Sequence, residues 1–112
     1  MVVWEYIEKI LTEFTAPHIS TSTLAEEVGC NPDYLGRVFR QMYGLSIVEQ
    51  IKRSRIKEAR RLLLKLELYV KEVAEYCCFK NESYFSRIFK SISGVTPREY
   101  RRLYLPLHMN TT

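Results

Sequence analysis

One unit occurs twice in this 112-residue chain. Tyr34, Arg37, Phe39, Gly44 and Glu49 recur 50 residues later as Tyr84, Arg87, Phe89, Gly94 and Glu99. Similar pairs fill the gaps: Leu35 with Phe85, Val38 with Ile88, Arg40 with Lys90, Leu45 with Val95, and Ser46 with Thr96. Upstream, Ala25-Glu26 matches Ala74-Glu75 at an offset of 49, so the second copy carries one extra residue in its turn. Chance likeness between helical segments yields scattered identities, not an ordered set that includes glycine and aromatic positions. The fold must therefore accommodate the same small unit twice.

Apolar residues recur at three- and four-residue spacing, and proline and glycine are scarce, which predicts an almost wholly helical chain. An amphipathic helix is expected over 2–14, with Val3, Tyr6, Ile7, Ile10, Leu11 and Phe14 on one side. A short helix over about 22–28 stops at Gly29, and Asn31-Pro32 starts the next as N-cap and first helical residue, running to Tyr43. Ser46 and Glu49 form a capping box for a long helix over about 47–65. Its apolar face is Ile47, Ile51, Ile56, Ala59, Leu62 and Leu63, and Lys52, Arg53, Lys57, Arg60 and Arg61 lie mostly opposite. Further helices are expected at about 70–77, at 82–92, and from Thr96-Pro97 to about 104. The expectation is an all-α fold of about seven helices: two helix-turn-helix subdomains, in 1–45 and 67–112, joined by a linker helix in 46–66.

A helix-turn-helix needs a small residue where its helices cross, a permissive turn residue and apolar residues beneath. Ala25 and Gly29 fill the first two places in the first unit, over Leu24, Val28, Cys30, Leu35 and Val38. Ala74 and Cys78 fill them in the second, over Val73, Cys77, Phe79, Phe85 and Ile88. Cysteine in place of glycine leaves two readings open: a strained turn, or a longer turn that avoids a positive φ.

Charge is distributed unevenly. Residues 1–30 hold five Glu and one Lys, whereas the remainder holds 16 basic and eight acidic residues within a net charge of +4. A basic segment of that size either attracts a polyanion or is simply a solvated surface. The three cysteines, Cys30, Cys77 and Cys78, read as reduced apolar filler, because their number is odd and 77–78 lacks zinc-ligand spacing. No metal or cofactor is expected.

The stretch from Leu24 through Arg101 resembles the DNA-binding domain of the AraC/XylS transcription regulators. The resemblance is most specific at Tyr84-Phe85-Ser86-Arg87-Ile88-Phe89-Lys90, Gly94, Thr96-Pro97 and Tyr100-Arg101. It extends to Leu24-Ala25-Glu26-Glu27-Val28-Gly29, Tyr34-Leu35 and Phe39, and to Arg55, Ala59, Arg60, Leu62 and Leu63 of the linker. Cys78 departs from the family's usual glycine. The resemblance implies a bacterial transcription regulator, activator or repressor, that binds double-stranded promoter DNA and has RNA polymerase as a further partner.

In a helix-turn-helix the second helix enters the major groove, and its outward N-terminal residues reach base edges. Those positions are Asp33, Tyr34, Gly36, Arg37 and Arg40 in the first unit, and Asn81, Glu82, Ser83, Ser86 and Arg87 in the second. Arg37 and Arg87 are the leading base contacts, since a guanidinium fork matches the two acceptors of guanine. Tyr34 and Tyr84 suit either base contact or packing. Asp33 and Glu82 either favour the helix dipole or accept from cytosine. Thr21, Ser22, Asn31 and Lys90 are candidate phosphate contacts, although capping also explains the first three. A linker of nineteen residues would span roughly 28 Å against about 34 Å between successive major-groove faces. A monomeric domain reading a bipartite, non-palindromic site is therefore expected.

There is no phosphate-binding glycine loop, zinc-hydrolase histidine pair or nucleophile–base arrangement, and His18 and His108 read as solvated. An enzyme is not expected, nor is a membrane partner, and the chain is placed in the cytoplasm. It is expected to be the C-terminal part, from Val2, of a longer regulator carrying an upstream sensor or receiver domain.

Overall fold

In the computed structural model, Glu5 and residues 19–110 are described, with side chains to residue 105. The helix expected over 2–14 lies outside the described residues except for Glu5. Among the described residues there are six helices: α1 (Thr21–Val28), α2 (Pro32–Tyr43), α3 (Ile47–Leu63), α4 (Val70–Tyr76), α5 (Glu82–Ser93) and α6 (Pro97–Asn110). These are the six helices expected after residue 14, and the seventh expected one lies outside the described residues.

Local chemistry sets most of the boundaries. Ser20 opens α1, its hydroxyl accepting from the Thr23 N–H at 3.2 Å while the Thr23 hydroxyl accepts from the Ser20 N–H at 2.9 Å. Asn31 opens α2 through Oδ1, which accepts from the N–H groups of Asp33 and Tyr34. At α6 the full reciprocal box forms: the Glu99 carboxylate accepts from the Thr96 N–H at 2.8 Å and the Thr96 hydroxyl from the Glu99 N–H at 3.1 Å. At α3 Ser46 caps the Glu49 N–H, but the Glu49 carboxylate sits with Arg53 at 3.3 Å. Helix α3 ends at Leu63, two residues before the expected end, and α6 runs six residues beyond 104, through Pro106. A proline removes one backbone donor from a helix without forbidding helix on either side.

The chain divides into two compact units between Ser54 and Arg55, within α3. In the first, Leu24, Ala25, Leu35, Phe39, Ile47 and Ile51 form a buried core, with Ile19, Val28, Cys30 and Tyr43 packed against it. Val38, expected in this core, is only half-buried. In the second, Ile56, Ala59, Leu62, Leu63, Val70, Val73, Ala74, Cys77, Phe79, Phe85 and Phe89 are buried. The aromatic rings there meet in series: Phe79–Phe85 at 5.0 Å, Phe85–Phe89 at 5.7 Å and Phe89–Tyr100 at 5.6 Å between centroids. The repeat thus extends to packing, since Leu35, Phe39 and Ile47 are buried where Phe85, Phe89 and Pro97 are. Burial pushes the Cys77 thiol up to about 12, so it stays protonated and behaves as the apolar filler expected of it.

The two turns share one geometry. After α1, the Cys30 N–H reaches the Ala25 carbonyl at 2.9 Å and the Gly29 N–H reaches Glu26 at 3.3 Å. After α4, the Phe79 N–H reaches Ala74 at 3.0 Å and the Cys78 N–H reaches Glu75 at 3.0 Å. This paired closure requires a left-handed residue between them. Gly29 takes φ +75°, and Cys78 takes φ +65°, the one positive φ among described non-glycine residues. The extra residue therefore leaves the positive φ in place and falls after the closure, near Lys80. A β-carbon in that conformation costs about 1 kcal/mol or more. Cys78→Gly is expected to raise stability by about 0.5–1 kcal/mol, after allowing for the greater unfolded-chain freedom of glycine. Urea denaturation checks it, and an unchanged or lower midpoint would remove the strain.

Candidate nucleic-acid interface

Each unit buries one side of its second helix and leaves the other open. Leu35 and Phe39 point α2 into the first core, which leaves Asp33, Tyr34, Arg37 and Arg40 exposed and Gly36 half-buried. Phe85 and Phe89 do the same for α5, where Asn81, Ser83, Arg87 and Lys90 are exposed and Glu82, Ser86 and Tyr84 are half-buried. Positions 33, 37 and 40, and likewise 83, 87 and 90, follow one helical stripe. All the expected base-reading positions of each unit thus lie outside its buried stripe.

Several of these side chains already have partners. Asn31 and Asn81 are caps: Asn81 Oδ1 accepts from the Tyr84 N–H at 2.7 Å, matching Asn31 at α2. Asn31 Oδ1 accepts two backbone N–H groups and Asn81 Oδ1 accepts one, while the amide N–H groups of both side chains can still donate. Thr21 and Ser22 stand in the first turn of α1, behind a cap made by Ser20 and Thr23. Glu82 has a partner that neither sequence reading included: Arg98, at the start of α6, donates to its carboxylate at 3.3 Å. Sixteen residues separate them, so no periodicity links them.

The two arginines are held alike. The Arg37 guanidinium carbon lies 5.7 Å from the centroid of the Tyr34 ring, and that of Arg87 lies 5.4 Å from Tyr84. Lys80 adds a second cation to the Tyr84 ring at 5.3 Å. Sequence reasoning passed over Lys80, although the offset changing from 49 to 50 marks this stretch as the one where the copies differ.

The basic side of α3 is largely engaged within the protein. Arg53 pairs with Glu49, Arg61 donates twice to Glu58 at 3.0 and 2.6 Å, and Arg60 donates to the Ser93 hydroxyl at 3.1 Å. The hydrogen bonds from Arg61 hold the Glu58 carboxyl below its ordinary range. Arg101, named in the sequence only as part of a motif, donates to the carbonyl of Leu63, the last residue of α3, and to those of Lys65 and Leu68 in the turn that follows. Its signal was present: its counterpart 50 residues earlier is the buried Ile51, so the repeat changes chemistry there. Among the described residues no helix is long and apolar enough to cross a membrane.

A helix-turn-helix domain model matches residues 24–103. The transcriptional regulatory protein YesN of Bacillus subtilis is 35% identical over 104 residues, covering 90% of this chain and 28% of its own length. The chain spans between 30% and 36% of the length of three other curated relatives. The C-terminal domain of the two-component response regulator yesN from Fusobacterium nucleatum superimposes with a TM-score of 0.82 at 29% identity, covering 90% of this chain and 99% of that one. The DNA-binding domain of AdpA, solved with a target DNA, gives a TM-score of 0.79 at 25% identity over 91% of each chain.

Proposed function

This chain belongs to the AraC/XylS family as a DNA-binding domain of a transcription regulator, and we propose that it reads a bipartite promoter site with α2 and α5. The observation that carries this reading is the exposed arginine stacked on a tyrosine three residues before it, on the second helix of both units. In this assignment Arg37 and Arg87 read bases, with Asp33, Tyr34, Gly36, Arg40, Asn81, Ser83 and Ser86 lining the two grooves. Lys90, Thr21, Ser22 and Asn31 lie against phosphates. Glu82 acts through Arg98, orienting a cation beside α5, rather than as a direct acceptor. The domain binds as a monomer and performs no catalytic step. It works in the cytoplasm as part of a longer regulator, whose remaining part senses a signal and whose complex engages RNA polymerase.

The test is a salt titration of binding to a fluorescent duplex bearing the preferred site. A log–log slope steeper than about −4 is expected, as at least four or five neutralised phosphates require. A salt-insensitive or absent signal would instead favour a helical module that binds protein.

Gly36 offers a second test, because a methyl group there meets nothing within 4 Å. Gly36→Ala is expected to stabilise the free domain by about 0.5–1 kcal/mol, as removing glycine from a helix interior does. The same change should weaken DNA binding several-fold if bases approach this backbone closely. Equal or tighter binding would move the groove contact away from Gly36. Thermal melting and fluorescence anisotropy measure the two effects separately.

A further inference from the structure

Each arginine assigned to a base lies against the tyrosine one helical turn before it. The geometry is the same in both units, at 5.7 Å in α2 and 5.4 Å in α5. Tyr34 is 52% exposed, so a need to fill the core does not account for its ring. An arginine on an open helix samples many rotamers, and binding must freeze it in one. The face of an aromatic ring carries negative charge and is planar, so it attracts a guanidinium and narrows its orientations before DNA arrives. We propose that Tyr34 and Tyr84 are positioning residues, which hold Arg37 and Arg87 in place for insertion into the major groove.

The units differ in one respect. Tyr84 carries Lys80 as well as Arg87, and Lys80 belongs to the longer second turn. Its ring also packs on the second core, with Phe79 6.0 Å away. Tyr84 therefore orients two cations and fills space, whereas Tyr34 orients one. The inference rests on the assignment of Arg37 and Arg87 as base contacts, so the experiment separates the two.

The cleaner site is Tyr34, whose replacement spares the core. In the free domain, NMR relaxation at the Arg37 side-chain Nε should report greater mobility in Tyr34→Leu, with Arg87 unchanged and Tyr34→Phe close to wild type. On a DNA site, Tyr34→Leu should weaken binding about two- to five-fold, the scale of an exposed cation–π contact. Tyr34→Phe should restore it, and Tyr34→Leu should add nothing when Arg37 is already alanine. Unchanged Arg37 mobility in Tyr34→Leu overturns the positioning role even if Arg37 reads a base. Equal losses with and without Arg37 overturn it too, as does a Phe variant as weak as the Leu variant, which would make the hydroxyl a direct contact. If Arg37→Ala leaves base preference intact, the base assignment fails, while the NMR result still decides whether the ring holds the arginine. In α5, where Tyr84→Leu also disturbs the core, Tyr84→Phe keeps the ring and should leave Arg87 mobility and binding close to wild type, and a loss there overturns the positioning role of Tyr84.

Discussion

Arg101→Ala is expected to destabilise the second unit by about 2–4 kcal/mol, more than its half-exposed position suggests. The last carbonyls of a helix have no partners within it, and in the turn after α3 those of Leu62 and Lys65 accept from the N–H groups of Lys65 and Leu68. The Arg101 guanidinium meets three carbonyls of this stretch, at Leu63, Lys65 and Leu68, and so ties the end of α3 and the loop before α4 to α6. Burial, with Arg98 nearby, pulls its pKa below the ordinary arginine value, which reflects the cost of placing the charge there. Removing the side chain leaves the partly buried Leu63 and Leu68 carbonyls for water to satisfy, while the Lys65 carbonyl keeps the Leu68 N–H at 3.2 Å. Lysine keeps the charge but not the fork, so Arg101→Lys should recover only part of the loss. Chemical denaturation measures the total. Amide hydrogen exchange should place it around α3's last turn and α4, with the Leu24–Phe39 core little changed. A loss below about 0.5 kcal/mol would mean that water replaces the guanidinium without penalty.

The second large effect concerns recognition. Arg37→Ala and Arg87→Ala are each expected to cost about 1–3 kcal/mol on the preferred site, roughly 5- to 150-fold in affinity. Each should flatten base preference at its own position and leave the other half of the site intact. Because the arginines belong to separate units with separate cores, the double variant should lose close to the sum. Binding curves on duplexes with one base pair changed at a time supply the measurement. A uniform loss across all sequences would instead make these arginines phosphate contacts.

Much of the fold could be read from capping chemistry and the repeat. Asn31-Pro32, Gly29, Gly44, Gly94 and Thr96 with Glu99 are local signals, and the helices begin or end beside them. All six apolar residues assigned to the inner face of α3 are buried, because helical periodicity depends only on spacing. The misses are contacts between distant residues and one local contact that spacing alone does not fix. Glu82 with Arg98 and Arg101 with the α3 carbonyls join different helices, and the Arg–Tyr stacking depends on rotamers. Cys78 stands between these cases. Its departure from glycine was visible, but only backbone geometry decides between strain and a re-routed turn, and it decides for a left-handed cysteine.

The most direct measurement is selection of this domain's binding sites from a pool of random duplexes at physiological salt. The account predicts a non-palindromic motif of two short conserved blocks, centred about 10 base pairs apart as adjacent major-groove faces require. Enrichment of a single block, or of a palindrome, would contradict a monomer reading with both α2 and α5. No enrichment, with only weak sequence-independent binding, would contradict specific recognition by this domain.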